Sequence, residues 1–249
     1  MAASHILALS LSTGIDAARL QQARRLKTLP EPADIDNLVA EEPSLATDLG
    51  LNTTTDISYV ALAQTSGTWK LTTADTIHVH SLGERAALQR VLDLIRAIAA
   101  PELITFDAAF DLAVLRYSCL RLGLPAAPLE EALTSGRHKD AQKLLGYGPY
   151  LPVDNLAAIC RDINLPDPNL PTIQQSRNRA LAPHRDDDFT MRRAEALSLA
   201  LTQLRYELHA ERLTIEDHRT SITVIRAAVE TLERQGTFAL GTSRLITSP

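Results

Sequence analysis

The sequence predicts an α/β fold in which a mixed β-sheet is flanked by helices and followed by a helical C-terminal extension. Three observations predict it. Short apolar runs typical of buried strands fill the first third of the chain, one further apolar run lies between two helical segments, and the last part has helical spacing only. Strands followed by an alternation of strand and helix favour a mixed sheet with helices packed on it.

The strand segments are short runs rich in apolar and β-branched residues. They are Ile6–Leu11, Ile57–Gln64, Thr68–Thr72, Thr76–His80 and Leu103–Phe106. Ser66-Gly67 separates the second run from the third, and such a pair between two strand-like runs indicates a hairpin turn.

The helical segments have apolar residues at every third or fourth position, except the first, which is mainly basic. They are Asp16–Lys27, Glu84–Ala99, Phe110–Leu122, Asp154–Ile163, Asp186–Arg212 and Thr214–Gln235. Pro101 ends the second helix, and Gly123 with Pro125 ends the third. We expect one domain over residues 1–212 and a helical extension with a tail over residues 213–249.

An acidic stretch separates the first two strands. Residues 29–55 carry six Asp or Glu residues, three prolines and no Lys or Arg. This composition predicts a weakly structured insertion. It is either a solvated loop or an acidic flap over a binding face.

Composition limits the class of protein. The hydrophobic fraction of 45% is enough for a sizeable core, and the formal net charge of −5 gives no overall attraction to nucleic acid or anionic membrane. The chain has neither the roughly 20 apolar residues of a membrane helix nor the charged flank of a signal peptide. Cys119 and Cys160 lie in apolar helical patterns, which predicts buried thiols. We expect an intracellular protein without membrane association, in the cytoplasm or another reducing compartment.

One segment carries a resemblance to a known family. Leu103–Leu115 reads LITFDAAFDLAVL, an apolar strand followed by Phe-Asp-Leu-x-x-Leu at the start of a helix. It resembles the second motif of the DEDD superfamily of 3′–5′ exonucleases, and most of all the predicted exonucleases related to the proofreading domain of family B DNA polymerases. Val153–Ala157 and His138–Asp140 resemble further segments of that family. The resemblance implies a ribonuclease-H-like fold and makes Asp111 a metal ligand.

The third motif of the superfamily is similar to the run His184-Arg185-Asp186-Asp187-Asp188. The spacing is that of the tyrosine branch, Tyr-x-x-x-Asp, whereas the histidine is typical of the other branch. The resemblance makes Asp188 a metal ligand and His184 the residue that positions a water molecule. The three acids equally fit the acidic first turn of a helix, and His184 equally fits an ordinary loop histidine.

The first motif departs from the family. Ser10-Leu11-Ser12-Thr13 stands where the superfamily has Asp-x-Glu-Thr. Two-metal hydrolysis needs two cations about 4 Å apart, and Mg²⁺ or Mn²⁺ is held by anionic oxygens. Since serine hydroxyls are neutral, we expect the site of Asp111, Asp188 and His184 to be degenerate, with Ser10 and Ser12 at its centre. We expect no cofactor, or Mg²⁺ or Mn²⁺ if the protein is active.

Arginines cluster in sequence around the third motif. They are Arg177, Arg179, Arg185, Arg192 and Arg193. Such a patch would contact the phosphates of single-stranded DNA or RNA. A solvated helix face explains Arg192 and Arg193 equally well.

Three functions are therefore open. The first, which we prefer, is a catalytically impaired exonuclease-like protein, a pseudoenzyme that still binds nucleic acid. The second is an active Mg²⁺- or Mn²⁺-dependent 3′–5′ exonuclease with a rearranged site. The third is a scaffold subunit that binds a protein partner through the C-terminal helices, whose apolar seam from Ile215 to Leu232 must be covered by the protein's own sheet or by another chain.

Overall fold

The computed structural model describes residues 4–106, 108–145, 160, 165, 186–238 and 242–246, and gives the backbone alone for residues 108, 109, 145, 186–191 and 245. Its strands are β1 His5–Ile15, β2 Asn52–Thr65, β3 Thr68–His78, β4 Glu102–Thr105 and β5 His138–Asp140. Its α-helices are α1 Ala17–Arg24, α2 Pro32–Glu41, α3 Val79–Leu82, α4 Glu84–Ala97, α5 Ala108–Arg121, α6 Ala127–Thr134, α7 Ala141–Leu145, α8 Asp186–His209 and α9 Ile215–Arg234. Two short 3₁₀ helices span Pro43–Thr47 and Thr242–Leu245.

The five strands form one mixed sheet with the order β3-β2-β1-β4-β5. β1, β2 and β3 pair antiparallel as neighbours, whereas β4 runs parallel to β1 and β5 runs parallel to β4. A central first strand with this order and these directions is a ribonuclease-H-like sheet. The predicted fold class is therefore confirmed, including the helices at the C-terminal end.

The hairpin between β2 and β3 turns at the predicted position. Ser66 and Gly67 both have positive φ, 51° and 84°, as a tight two-residue turn that matches the strand twist requires. β3 then continues to His78 as one strand, with a shift of register opposite Ala61 and Leu62. The two strands predicted at 68–72 and 76–80 are thus one strand with an irregularity.

Helices cover both faces of the sheet, and the alternation of side chains along β1 shows why. Ile6 and Ala8 point into a core with α8 and α9, whereas Leu7 and Leu9 point into a core with α4 and α5. A strand that is covered on both faces has a continuous apolar sequence rather than an alternating one. This explains the run at the start of the chain.

The prediction of a weakly structured acidic insertion was wrong. Pro32 begins α2, and the Glu31 and Asp34 side chains form a capping box at that helix end. Proline is well suited to the first turn of a helix because its missing N–H would have no partner there. The insertion also packs with the end of β1 and with α1 in a small apolar core. Its buried members are Ile15, Leu20, Ile35, Leu45 and Leu51.

The C-terminal helix α9 packs on the protein's own sheet. Ile222, Ile225 and Val229 are fully buried in the same apolar cluster as Leu197 of α8. The Ser221 hydroxyl accepts a hydrogen bond of 2.9 Å from a backbone N–H of the edge strand β3. The protein's own sheet therefore covers the middle of the seam, whereas Ile215 at its start is 58% exposed. A protein partner for these helices stays a prediction.

Two predictions from composition concern the thiols and the membrane. Cys119 and Cys160 are buried, as predicted, and burial, with the charges of Glu84 and Glu130, raises the pKa of the Cys119 thiol to about 11. In the part of the chain that the structure describes, every helix is too short or too polar to cross a bilayer.

Candidate functional site

The sheet face beneath α8 changes from apolar to polar along its length. After Ile6 and Ala8, β1 places Ser10 and Ser12 on this face, because every second side chain of a strand points the same way. The opposing positions on β2 and β3 are polar as well. We call the following six residues the polar end: Ser10, Ser12, Asp56, Ser58, Thr76 and His78.

Hydrogen bonds join these side chains across the strands. The hydroxyls of Ser58 and Thr76 lie 2.8 Å apart, and Asp56 Oδ1 lies 3.0 Å from His78 Nδ1. The Asp56 side chain is only 5% exposed, whereas that of His78 is 35% exposed. The aspartate therefore orients an imidazole that is partly accessible to solvent.

An acid from α8 lies directly over the central strand. The Ser10 hydroxyl donates a hydrogen bond of 2.8 Å to Oε2 of Glu195. Arg192 Nη1 donates to the same oxygen over 3.1 Å. The two charged side chains are 11% and 16% exposed, so this is a largely buried ion pair with a serine as its third member.

The direction of α8 determines which of its residues lie over the polar end. Glu195 contacts Ser10, which lies at the middle of β1. Eight residues later, the side-chain amide of Gln203 donates a hydrogen bond of 3.2 Å to Glu102, the first residue of β4. Since β1 and β4 are parallel, α8 runs antiparallel to both. Residues before Glu195 therefore lie beyond Ser10, toward the end of β1. Asp188 lies in the first turn of α8, about 10 Å along the axis from Glu195, among the residues described by backbone alone.

Asp111 lies toward the same end of the sheet as Ser10 and Ser12. It is in the first turn of α5, shortly after the carboxyl end of β4, and is partly exposed. Leu112 and Leu115 of the same helix pack in the core on the other face of the sheet. Because β4 is parallel to β1 with Ile104 beside Ala8, the carboxyl edge that holds Asp111 lies near Ser10 and Ser12.

The carboxyl ends of β4 and β5 carry a second group of polar side chains. His138 Nε2 lies 3.1 Å from the Thr105 hydroxyl. Burial, with the charges of Lys143 and Lys139, lowers the pKa of His138 to about 4. Burial raises the pKa of Asp140, which accepts a hydrogen bond from the Gln142 N–H at the start of α7. Asp140 thus caps the start of α7, whereas His138 and Thr105 join β5 to β4.

The predicted arginine patch is described only in part. Arg177, Arg179 and Arg185, together with His184, lie outside the described residues, so their roles stay predictions. Arg192 is bonded to Glu195 through Nη1 and is only 11% exposed, so little of it is accessible to a phosphate. Burial lowers the pKa of Arg193, against the opposing charge of Asp75.

No set of three or more His, Cys, Asp or Glu side chains that could hold a metal is present among the residues described with their side chains. The side chain of Asp188 lies outside those residues. Two acids are described at this site, Asp56 in the polar end and Glu195 on α8 above it. Asp56 is bonded to His78, and Glu195 is bonded to Ser10 and Arg192.

Sequence reasoning missed Glu195 and Asp56. Asp56 precedes the apolar run of β2, and Glu195 interrupts the apolar stripe of α8. A charged residue at such a position was the signal available in the sequence. Glu195 stands between Ala194 and Ala196, which are 4% and 0% exposed, in the stripe of α8 that meets the sheet. A charged residue in such a stripe needs a partner on the sheet. The identity of that partner, Ser10, is a tertiary contact across 185 positions.

Comparisons with known proteins leave the chain without an assigned family. A scan of protein-family models finds no match, and no curated protein matches the sequence. The class that the fold defines is therefore an α/β protein with a ribonuclease-H-like sheet and a polar end on its central strands.

Proposed function

We propose that the protein is an exonuclease-like nucleic-acid-binding protein whose catalysis is impaired because Ser10 and Ser12 replace metal-binding acids. One observation carries the proposal. On the central strand of a ribonuclease-H-like sheet, Ser10 points at an acid of the helix packed above it and donates a hydrogen bond to that acid. A hydroxyl at this position uses carboxylate lone pairs that a cation would need.

The charge balance supports impaired catalysis. Phosphodiester hydrolysis by two cations requires enough negative charge to hold four positive charges. Ser10 and Ser12 contribute none, and the charge of Glu195 is offset by Arg192. Since the cations supply most of the stabilisation of the transition state, their loss lowers the rate by several orders of magnitude.

The same replacement favours binding without cleavage. Two carboxylates fewer on the central strand reduce the repulsion of phosphates. Arg177, Arg179 and Arg185 supply positive charge in the segment that precedes α8. Single-stranded DNA or RNA is the proposed ligand. The two buried thiols support a reducing compartment such as the cytoplasm.

Binding is tested by fluorescence anisotropy with labelled single-stranded DNA and RNA at low and at physiological salt. We expect binding that weakens with salt, and Arg177→Ala with Arg179→Ala should weaken it by about tenfold at low salt. The matched control is Arg90→Ala with Arg96→Ala, which removes two exposed arginines of α4. Absence of binding at low salt would overturn the proposal.

A second candidate is an active exonuclease with a rearranged metal site. Glu195 favours it, since this acid faces the central strand and lies outside the sequence motifs. Degradation of a labelled single strand in Mn²⁺ that both Glu195→Gln and Asp188→Asn abolish would establish this function in place of the first. Degradation that neither substitution changes would be attributed to a contaminating nuclease.

A further inference from the structure

We propose that the guanidinium of Arg192 is the resident cation of the polar end, and that its removal opens a site for a divalent cation at Glu195. The inference rests on the proposed function only in taking this cleft as the one related to a metal site. It assigns to Arg192 a role different from phosphate contact.

The geometry of one oxygen atom carries the inference. Glu195 Oε2 accepts hydrogen bonds from both Ser10, over 2.8 Å, and Arg192, over 3.1 Å. Mg²⁺ binds carboxylate oxygens at roughly 2.0–2.1 Å and demands regular octahedral geometry. Both lone pairs of Oε2 are thus engaged, and an ion can bind this oxygen only by displacing Ser10 or Arg192.

Helix geometry fixes Arg192 in this position. Residues three apart on a helix are neighbours on its surface, so Arg192 and Glu195 meet without any contribution from another element. Ala194 and Ala196 are buried on either side of Glu195. Their small side chains allow the backbone of α8 to lie close to the sheet, which holds the carboxylate against Ser10.

Charge explains why an arginine serves as a permanent substitute for an ion. A guanidinium is protonated at every pH at which proteins are folded. It therefore balances Glu195 continuously, whereas a bound ion depends on its concentration. Removing the arginine leaves a largely buried carboxylate with an uncompensated charge, which is unfavourable until another cation arrives.

The test is the effect of Mn²⁺ on the thermal unfolding of full-length Arg192→Gln. We expect this variant to melt below the wild type without Mn²⁺ and to regain much of the loss when Mn²⁺ is added. Calorimetry should show Mn²⁺ binding at least about tenfold tighter than in the wild type, because a carboxylate without its internal cation is a better ligand. Arg192→Lys keeps the charge and should show no gain in Mn²⁺ affinity.

The matched control is Arg212→Gln. Arg212 pairs with Glu207 over 3.2 Å at the other end of α8, away from the polar end. If Arg192→Gln and Arg212→Gln respond alike to Mn²⁺, the inference is overturned. If Arg192→Gln does not fold without ions, its refolding in added Mn²⁺ is followed by circular dichroism, and no recovery of folded protein overturns the inference. Both measurements use no nucleic acid, so failure to bind oligonucleotides would reject the proposed function and leave this inference standing.

Discussion

The two ends of the sheet face beneath α8 are built on the same strands and differ in what stabilises them. At the apolar end, Ile6, Val60 and Leu62 are fully buried against α8 and α9. At the polar end, the same strands place Ser10 and Ser58 beneath the same helix, and both are almost fully buried. The backbone is continuous, so the change lies in the side chains alone.

This difference shows where the fold leaves room for chemistry. The apolar end gains stability in proportion to buried area and depends little on direction. The polar end must satisfy each buried hydroxyl and carboxylate with a hydrogen bond. Hydrogen bonds hold these side chains in defined positions. A binding or catalytic site is made from side chains held in this way.

The largest expected effect compares the two ends on one strand. Leu62→Ala should lower the free energy of unfolding by about 2–5 kcal/mol, since it opens a cavity in a closed core. The matched change at the polar end is Ser58→Ala, which removes one neutral hydrogen bond to Thr76 and should cost about 1 kcal/mol. Urea denaturation measures both. Equal losses would contradict the division into two ends.

The second prediction concerns a polar side chain within the α9 packing. His218 is fully buried, and neither ring nitrogen has a hydrogen-bond partner among the described residues. Burial, with the charge of Arg205, lowers the pKa of His218 from 6.5 to about 4. The unfolded chain therefore takes up the proton first as the pH falls. The contribution of neutral His218 to the free energy of unfolding is fully present above pH 6.5. It falls by about 3 kcal/mol as the pH decreases toward 4.

The variant His218→Leu removes this titration. Urea denaturation at neutral and at acidic pH should show a smaller loss of stability for the variant than for the wild type. The quantity compared is the change in the free energy of unfolding between the two pH values. A change in packing alters this free energy equally at both pH values, so it does not alter the comparison. A variant that loses as much stability as the wild type between these pH values would show that another group is responsible.

The third prediction measures the contact between β1 and α8. Ser10→Ala removes a hydroxyl that donates to a charged carboxylate, and should cost about 2 kcal/mol. A double-mutant cycle with Glu195→Gln isolates the pair. A coupling energy near zero would mean that the serine and the glutamate contribute independently, and that the polar end is not held by this bond.

The smallest effect is expected at α1, which follows β1 and packs against the insertion. Asp16 caps α1 by accepting hydrogen bonds of 3.0 and 3.1 Å from the N–H groups of Ala18 and Arg19. Asp16→Ala should cost about 1 kcal/mol. Amide hydrogen exchange should then increase within α1 and leave the strands unchanged. Faster exchange along β1 would show that the insertion and the sheet form one cooperative unit.

The parts of the fold that were predicted correctly depend on short-range signals. Residues close in sequence determine the hairpin at Ser66 and Gly67. They also determine where the helices before Pro101 and Gly123 end. The helix α2 was missed because its prolines and acids were taken as loop signals, whereas Pro32 lies in the first turn and the acids form its cap. The same residues favour either structure, and the small core around Ile35 determines the outcome.

Only the part of the candidate site that lies on the sheet was predictable from the sequence. Ser10 and Ser12 lie two apart on a strand, so their common face follows from the sequence. The partners do not follow, because Glu195 is seven residues beyond the acid that the motif suggested, and helix direction alone decides which acid meets Ser10. The pairing of Asp56 with His78 likewise depends on the register of β2 and β3.

The most direct test of the account is a calorimetric titration of Mn²⁺ into the wild type and into Ser10→Asp with Ser12→Glu. We predict that the wild type binds Mn²⁺ no tighter than roughly millimolar, and that the variant binds at least about tenfold tighter because two carboxylates have been added to the central strand. Micromolar binding of Mn²⁺ by the wild type, abolished by Asp188→Asn, would contradict the account and show that the cleft with its two serines is a working metal site.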